Sequence, residues 1–150
     1  MIPVTRSRRP FLIRVFIWFA GLASVAMCFS ILLAILDVGP HLMGGERVTR
    51  EEWLHIAAPL VAVIGVLMAC ISYGLAKEKA WSRHLVIAMF ALIVVYATTL
   101  GALSLIHRAI MWRAIINASL SGVASVWYFY FKPNVAAYFR KMNDGNAVKQ

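Results

Sequence analysis

Four stretches of this chain contain no Asp, Glu, Lys or Arg: residues 15–36, 53–76, 85–106 and 114–131. Each is apolar almost all the way round a helix rather than along one stripe. A helix of that kind belongs in a large core or in lipid. At about 1.5 Å per residue, each stretch is close to the ~30 Å of a bilayer's hydrocarbon layer. The last extends back to residue 110 once Arg113 snorkels toward the headgroups. The pattern predicts an all-α integral membrane four-helix bundle, a single membrane domain over 1–150. Its spans are 15–36, 53–76, 85–106 and 110–131.

The connections follow from turn residues. Gly39-Pro40 and Gly44-Gly45 mark the first, and the short run Lys77-Glu78-Lys79-Ala80 marks the second. The third has no Gly or Pro. One helix over 85–131 would be about 70 Å long, so the chain is expected to turn near residues 107–113. After the fourth span, Pro133 should break the helix. Residues 133–141 read as an interfacial segment, with Val135, Tyr138 and Phe139 on lipid and Arg140 and Lys141 at headgroups. Residues 142–150 read as a flexible tail.

Composition agrees. The chain is 62% hydrophobic and only 14% charged, where a soluble domain carries about a quarter. Its net charge of +9 would suit nucleic acid, but the charges sit at the edges of the apolar runs. No nucleic-acid partner is expected; the partner is the lipid bilayer. Arg6, Arg8, Arg9, Arg14, Lys77, Lys79, Arg83, Lys132, Arg140, Lys141 and Lys149 fall on one side, and Arg47, Arg50, Arg108 and Arg113 on the other. The positive-inside rule then places both termini in the cytoplasm. Residues 7–13, Ser-Arg-Arg-Pro-Phe-Leu-Ile, resemble a twin-arginine export signal. The apolar run behind them is too long for a cleavable signal, so an anchor is expected.

Candidate chemistry is sparse. Thr49-x-x-Glu52 is a capping box, in which each residue satisfies a backbone N–H of the other. Glu52-x-x-His55 has carboxylate–histidine spacing, but di-iron bundles use two such motifs and two further glutamates. His41, Glu52, His55 and His107 share one pole and are the candidate metal ligands there. Solvated or capping roles are the plainer reading, so no metal and no cofactor is expected. His84 lies at the opposite pole. Cys28 and Cys70 differ in depth by about 10 Å, too far for a disulfide. None of the four runs holds an ionisable Asp, Glu, Lys or Arg. Small multidrug-resistance transporters, also four-span, depend on a glutamate in the first helix that 15–36 lacks.

Packing signals are clearer. Ala58, Ala62, Gly65, Ala69, Ser72 and Ala76 form a small-residue seam with alternating spacings of four and three. Ala97, Gly101 and Ser104 on the third span, and Ala114, Ala118, Gly122 and Ser125 on the fourth, extend the theme. Pro59 should bend the second span, and Asn117 should hydrogen-bond to a neighbouring helix.

Residues 127–139, Trp-Tyr-Phe-Tyr-Phe-Lys-Pro-Asn-Val-Ala-Ala-Tyr-Phe, together with 80–85, Ala-Trp-Ser-Arg-His-Leu, resemble segments of small uncharacterised four-span bacterial inner-membrane proteins. The resemblance implies a bacterial cytoplasmic membrane. It carries over no functional residue. The expected role is a non-enzymatic accessory or scaffold subunit that packs on another membrane protein or on itself. The alternatives are a small oligomeric transporter or channel for a neutral solute, with Asn117, Thr98, Thr99 and Ser121 on its path, and a metal or redox protein on the periplasmic side.

Overall fold

The computed structural model describes residues 11–137, 139 and 140. Arg6, Arg8, Arg9, the export-like motif, Tyr138, Lys141 and the tail 142–150 fall outside them or only partly within. The described chain is helical apart from one small hairpin. Helix α1 is Phe11–Ile35, followed by strands β1 (Leu42–Met43) and β2 (Glu46–Arg47). Then come α2 (Arg50–Ala76), α3 (Ser82–Ala102) and α4 (Arg108–Phe131). All four helices are long and apolar enough to cross a membrane.

Successive helices run in opposite directions and pack in chain order, α1 on α2, α2 on α3 and α3 on α4. The first and last helices meet at one end, where Phe16 and Phe129 make an edge-to-face ring contact at 5.9 Å. That end also holds the α2–α3 turn and is the terminal end below. The other, the hairpin end, holds β1, β2 and the α3–α4 turn. The arrangement is an open row more than a closed bundle.

The helix ends explain the connections. Asp37, Glu78 and Ser104 each have φ of 56°, and each follows a helix closed by the same pair of bonds, the first from its own N–H to Ala34 O, Leu75 O and Gly101 O at 3.3, 3.2 and 3.1 Å. Val38 N–H reaches Leu33 O at 2.9 Å, Lys79 N–H reaches Gly74 O at 2.7 Å, and Leu105 N–H reaches Leu100 O at 2.9 Å. These are Schellman caps with a non-glycine residue in the left-handed position. The cap at Ser104 corrects the third connection. The chain turns over 103–107, and Arg108 already begins α4.

The first connection is tighter than turn residues alone suggested. Gly44 and Gly45 have φ of 61° and 92°, which suits a two-residue hairpin turn pairing Leu42 with Arg47 and Met43 with Glu46. Arg50, in the first turn of α2, donates to Ala34 O at 3.1 Å and Ile35 O at 2.6 Å. A cation thus caps the negative end of α1. Trp53 Nε1 donates to Leu42 O at 3.2 Å and pins the hairpin to α2.

The capping box at the start of α2 forms as expected. Glu52 N–H donates to Thr49 Oγ1 at 3.2 Å, and Thr49 N–H to Glu52 Oε2 at 3.0 Å. Helix α2 then widens into a π turn over Trp53–Ala57, just before Pro59. A second π turn, Trp127–Phe131, ends α4 before Pro133. Lys132 leaves the helix with ψ of 115°, the extended geometry a following proline imposes.

Beyond Pro133 the sequence-based expectation needs correcting. Val135 and Phe139 are 1% and 0% exposed, so they do not face lipid. Helical turns over 133–137 fold this segment back onto the core, where Phe139 meets Phe129 edge-on at 5.9 Å. Two large apolar side chains gain packing there that an interfacial pose would not give.

Candidate functional site

A concavity walled by three helices lies toward the hairpin end, over α3 and between α2 and α4. Its volume is about 370 Å³, within the range of small-ligand sites. Leu60 and Val61 of α2, Ala97 and Leu100 of α3, and Ile110 and Ala114 of α4 give it apolar walls. Met43 and Gly44 of the hairpin lie at its upper edge. A Cβ on Gly44 would come 2.8 Å from Ile110 Cγ2, so glycine there serves both the turn and the fit.

Three polar side chains line it: Tyr96, Arg113 and Asn117. Tyr96 donates its hydroxyl proton to Ile56 O at 2.6 Å, at the π turn of α2. Arg113 Nη1 donates to Gly44 O at 3.1 Å. Arg113 and Asn117 are four residues apart and therefore share a face of α4. Among the described residues the Asn117 amide has no hydrogen-bond partner, against the expectation of a bond to a neighbouring helix. Thr98 and Thr99 bond back to Val94 O and Val95 O of their own helix at 2.7 and 2.8 Å. Of the four polar-path candidates, only Asn117 lines the cavity.

The candidate metal ligands do not converge. His41 Nε2 pairs with Asp37 Oδ1 at 3.1 Å. His55 Nδ1 lies 2.8 Å from Glu51 O and donates to it. Glu52 is occupied by Thr49, and His107 is the N-cap residue of α4. Among the described residues no three His, Cys, Asp or Glu side chains are grouped to hold one ion. Cys28 and Cys70 are free thiols, both exposed.

The packing seam is narrower than its spacing suggested. A Cβ on Gly65 would lie 3.4 Å from Met27 Cβ, and Ser72 Oγ donates to Ile17 O at 2.9 Å. Both contacts are with α1. Ala58 is half-buried, while Ala62 and Ala69 are exposed. The inward stripe of α2 is carried mostly by larger residues, Ile64, Met68, Ile71 and Leu75, and of the small-residue seam only Gly65 is buried among them. On α4, Gly122 fits against Phe90, whose Cβ would lie 3.4 Å from an added methyl.

The terminal end carries aromatic rings under cations. The Arg83 guanidinium lies 4.9 Å from the Tyr130 ring centre and 5.6 Å from that of Phe139. Lys132 Nζ sits 5.2 Å from the Tyr128 ring centre, and the Tyr130 hydroxyl bonds His84 Nδ1 at 2.7 Å. Such contacts add about 0.5–2 kcal/mol each and suit a membrane interface.

Sequence reading had placed Asn117 but missed Tyr96 and the full part of Arg113. The i, i+4 pairing of Arg113 with Asn117 at the edge of an apolar run was the available signal. Comparison with protein-family models, curated proteins and solved structures finds no match to this chain. What the fold defines is a class: an all-helical chain with four helices fit to cross a membrane.

Proposed function

We propose that this chain is a non-enzymatic accessory or scaffold subunit of a larger membrane assembly, a multi-pass protein of the bacterial inner membrane with both termini in the cytoplasm. The carrying observation is the outer flank of α1. Phe11, Val15, Trp18, Leu22, Val25, Phe29 and Leu32 are all exposed, and Trp18 is 81% exposed. Their spacing alternates four and three, the knob spacing of helix–helix packing. As the end member of the row, α1 turns Ile13, Phe16, Ile17, Ala20 and Gly21 toward the core and leaves this second, bulky stripe uncovered. That division suits a second helix docking on the bulky face, from another membrane protein or a second copy.

A photoreactive amino acid in place of Leu22, activated in native membranes, tests this. The reading expects discrete protein adducts that survive mild-detergent purification. Adducts with lipid alone would overturn it. Orientation is tested by Glu46→Cys and Lys79→Cys in a background lacking Cys28 and Cys70. An impermeant thiol reagent should label the first in intact cells and not the second.

A further inference from the structure

We propose that the cavity over α3 binds the acyl chain of an anionic amphiphile, with its head on Arg113 and Asn117. The shape of the polarity supports this. One wall, on α4, carries an arginine and an amide one turn apart; the rest is Leu, Val, Ile and Ala with Tyr96, and Met43 and Gly44 at the edge. Arg113 spends one donor on Gly44 O of the five a guanidinium offers. Among the described residues it has no acidic partner. The Asn117 amide is likewise uncommitted.

A plain hydrocarbon would leave the Asn117 amide, one turn deeper than Arg113, unanswered, which is costly in an apolar setting. A small polar solute would meet mostly alkyl walls. A carboxylate or phosphate head accepts from both donors by charge-assisted bonds, and its chain fills the apolar part. The orientation is also right. Arg113 lies near the hairpin end of α4, and Trp112 beside it is exposed, as expected of a residue at headgroup depth. The chain would run from there toward the interior of the row. The Tyr96–Ile56 bond holds α3 to the π turn of α2 and fixes the opposite wall.

The test uses the full chain in non-ionic detergent and a sixteen-carbon fatty acid bearing a mid-chain diazirine. After illumination, peptide mapping should find the label at Leu60, Val61 and Ala114. Excess palmitate should displace it, and uncharged hexadecanol should compete about tenfold less well. Ala114→Phe should fill the chamber and abolish this labelling. Arg113→Gln should weaken it about tenfold.

Because Arg113 also holds Gly44, Asn117→Leu serves as a second head variant. It breaks no hydrogen bond within the described chain and should weaken labelling severalfold. Trp18→Ala, on the far flank of α1, should leave it unchanged. Stronger competition by phosphatidylglycerol than by palmitate would support the site and assign it to a phospholipid chain; the reverse order would support it and assign it to a free fatty acid. Labelling spread equally over α1 and the cavity, persistence in Ala114→Phe, or equal competition by palmitate and hexadecanol would overturn the proposal.

Discussion

Gly74 and Gly65 are both buried glycines of α2, yet the same substitution should destabilise at the first and not at the second. A Cβ on Gly74 would lie 2.8 Å from Ser82 Cβ and 2.9 Å from a Trp81 ring carbon. Carbon atoms prefer about 3.5–4.0 Å. Ser82 Cβ is fixed by its own backbone, is fully buried, and its hydroxyl is tied to Lys79 O at 2.7 Å. No rotamer change relieves the clash, so the α2–α3 turn must shift. Overpacking of this kind costs about 1–3 kcal/mol, and replacing a helical glycine by alanine returns about 0.5–1 kcal/mol. Gly74→Ala should therefore lose roughly 0.5–2 kcal/mol. At Gly65 the nearest atom, Met27 Cβ, would be 3.4 Å away and the next 3.9 Å. There the helix gain dominates, and Gly65→Ala should be neutral or up to about 1 kcal/mol more stable. Reversible unfolding in mixed micelles, followed by circular dichroism against the mole fraction of denaturing detergent, ranks the two. A Gly74→Ala protein as stable as the wild type, or more stable than Gly65→Ala, refutes the reasoning.

Thr49→Ala should cost about 0.5–2 kcal/mol in the same assay by removing the cap of α2. His55→Gln should leave stability and bound metal, measured by elemental analysis, unchanged. Gly65→Leu should force α1 from α2 and cost about 1–3 kcal/mol, whereas Val63→Leu, at a position 48% exposed, should stay within about 0.5 kcal/mol of wild type; equal behaviour of the two would remove the seam as an interface. Ser104→Gly should raise stability by about 0.5–1 kcal/mol, because glycine occupies the left-handed cap without the strain a side chain brings; a loss would show that the Ser104 side chain contributes something the cap geometry does not require.

The four helices were legible because lipid demands a charge-free length, and that is a property of composition. The capping box and the Gly44-Gly45 turn were legible because each is a local exchange of hydrogen bonds or a backbone preference. The end of α3 was not. Ser104 adopts a conformation in which glycine is usual, and serine leaves no mark in a sequence scan. The fold-back of Val135 and Phe139 was equally hidden. Amphipathic spacing after a proline reads the same whether the apolar side meets lipid or the rings of Phe129 and Tyr130. The cavity needed two facts that no single segment contains: that α2 and α4 both flank α3, and that Tyr96 reaches across to the carbonyl of Ile56.

The two prolines show how tertiary neighbours decide what a local signal means. Both π turns begin at a tryptophan six residues ahead of a proline, Trp53 before Pro59 and Trp127 before Pro133. In each, the amide one residue before the proline bonds five residues back, Ala58 to Trp53 and Lys132 to Trp127. Proline offers no N–H and crowds the carbonyl four residues earlier, so adding one residue to the turn eases the approach. After that the two diverge. Pro59 lies at the start of a long apolar helix whose next turns are held by α1 and α3, and the helix continues. Pro133 is followed by no such run, and the chain leaves at Lys132 and packs Val135 and Phe139 against the core. The first π turn thereby stays in the row and lends Ile56 and Ala57 to the cavity wall, while the second closes the terminal end with Phe129. An opening at one end and a plug at the other thus come from one local device, sorted by what each helix has beside it.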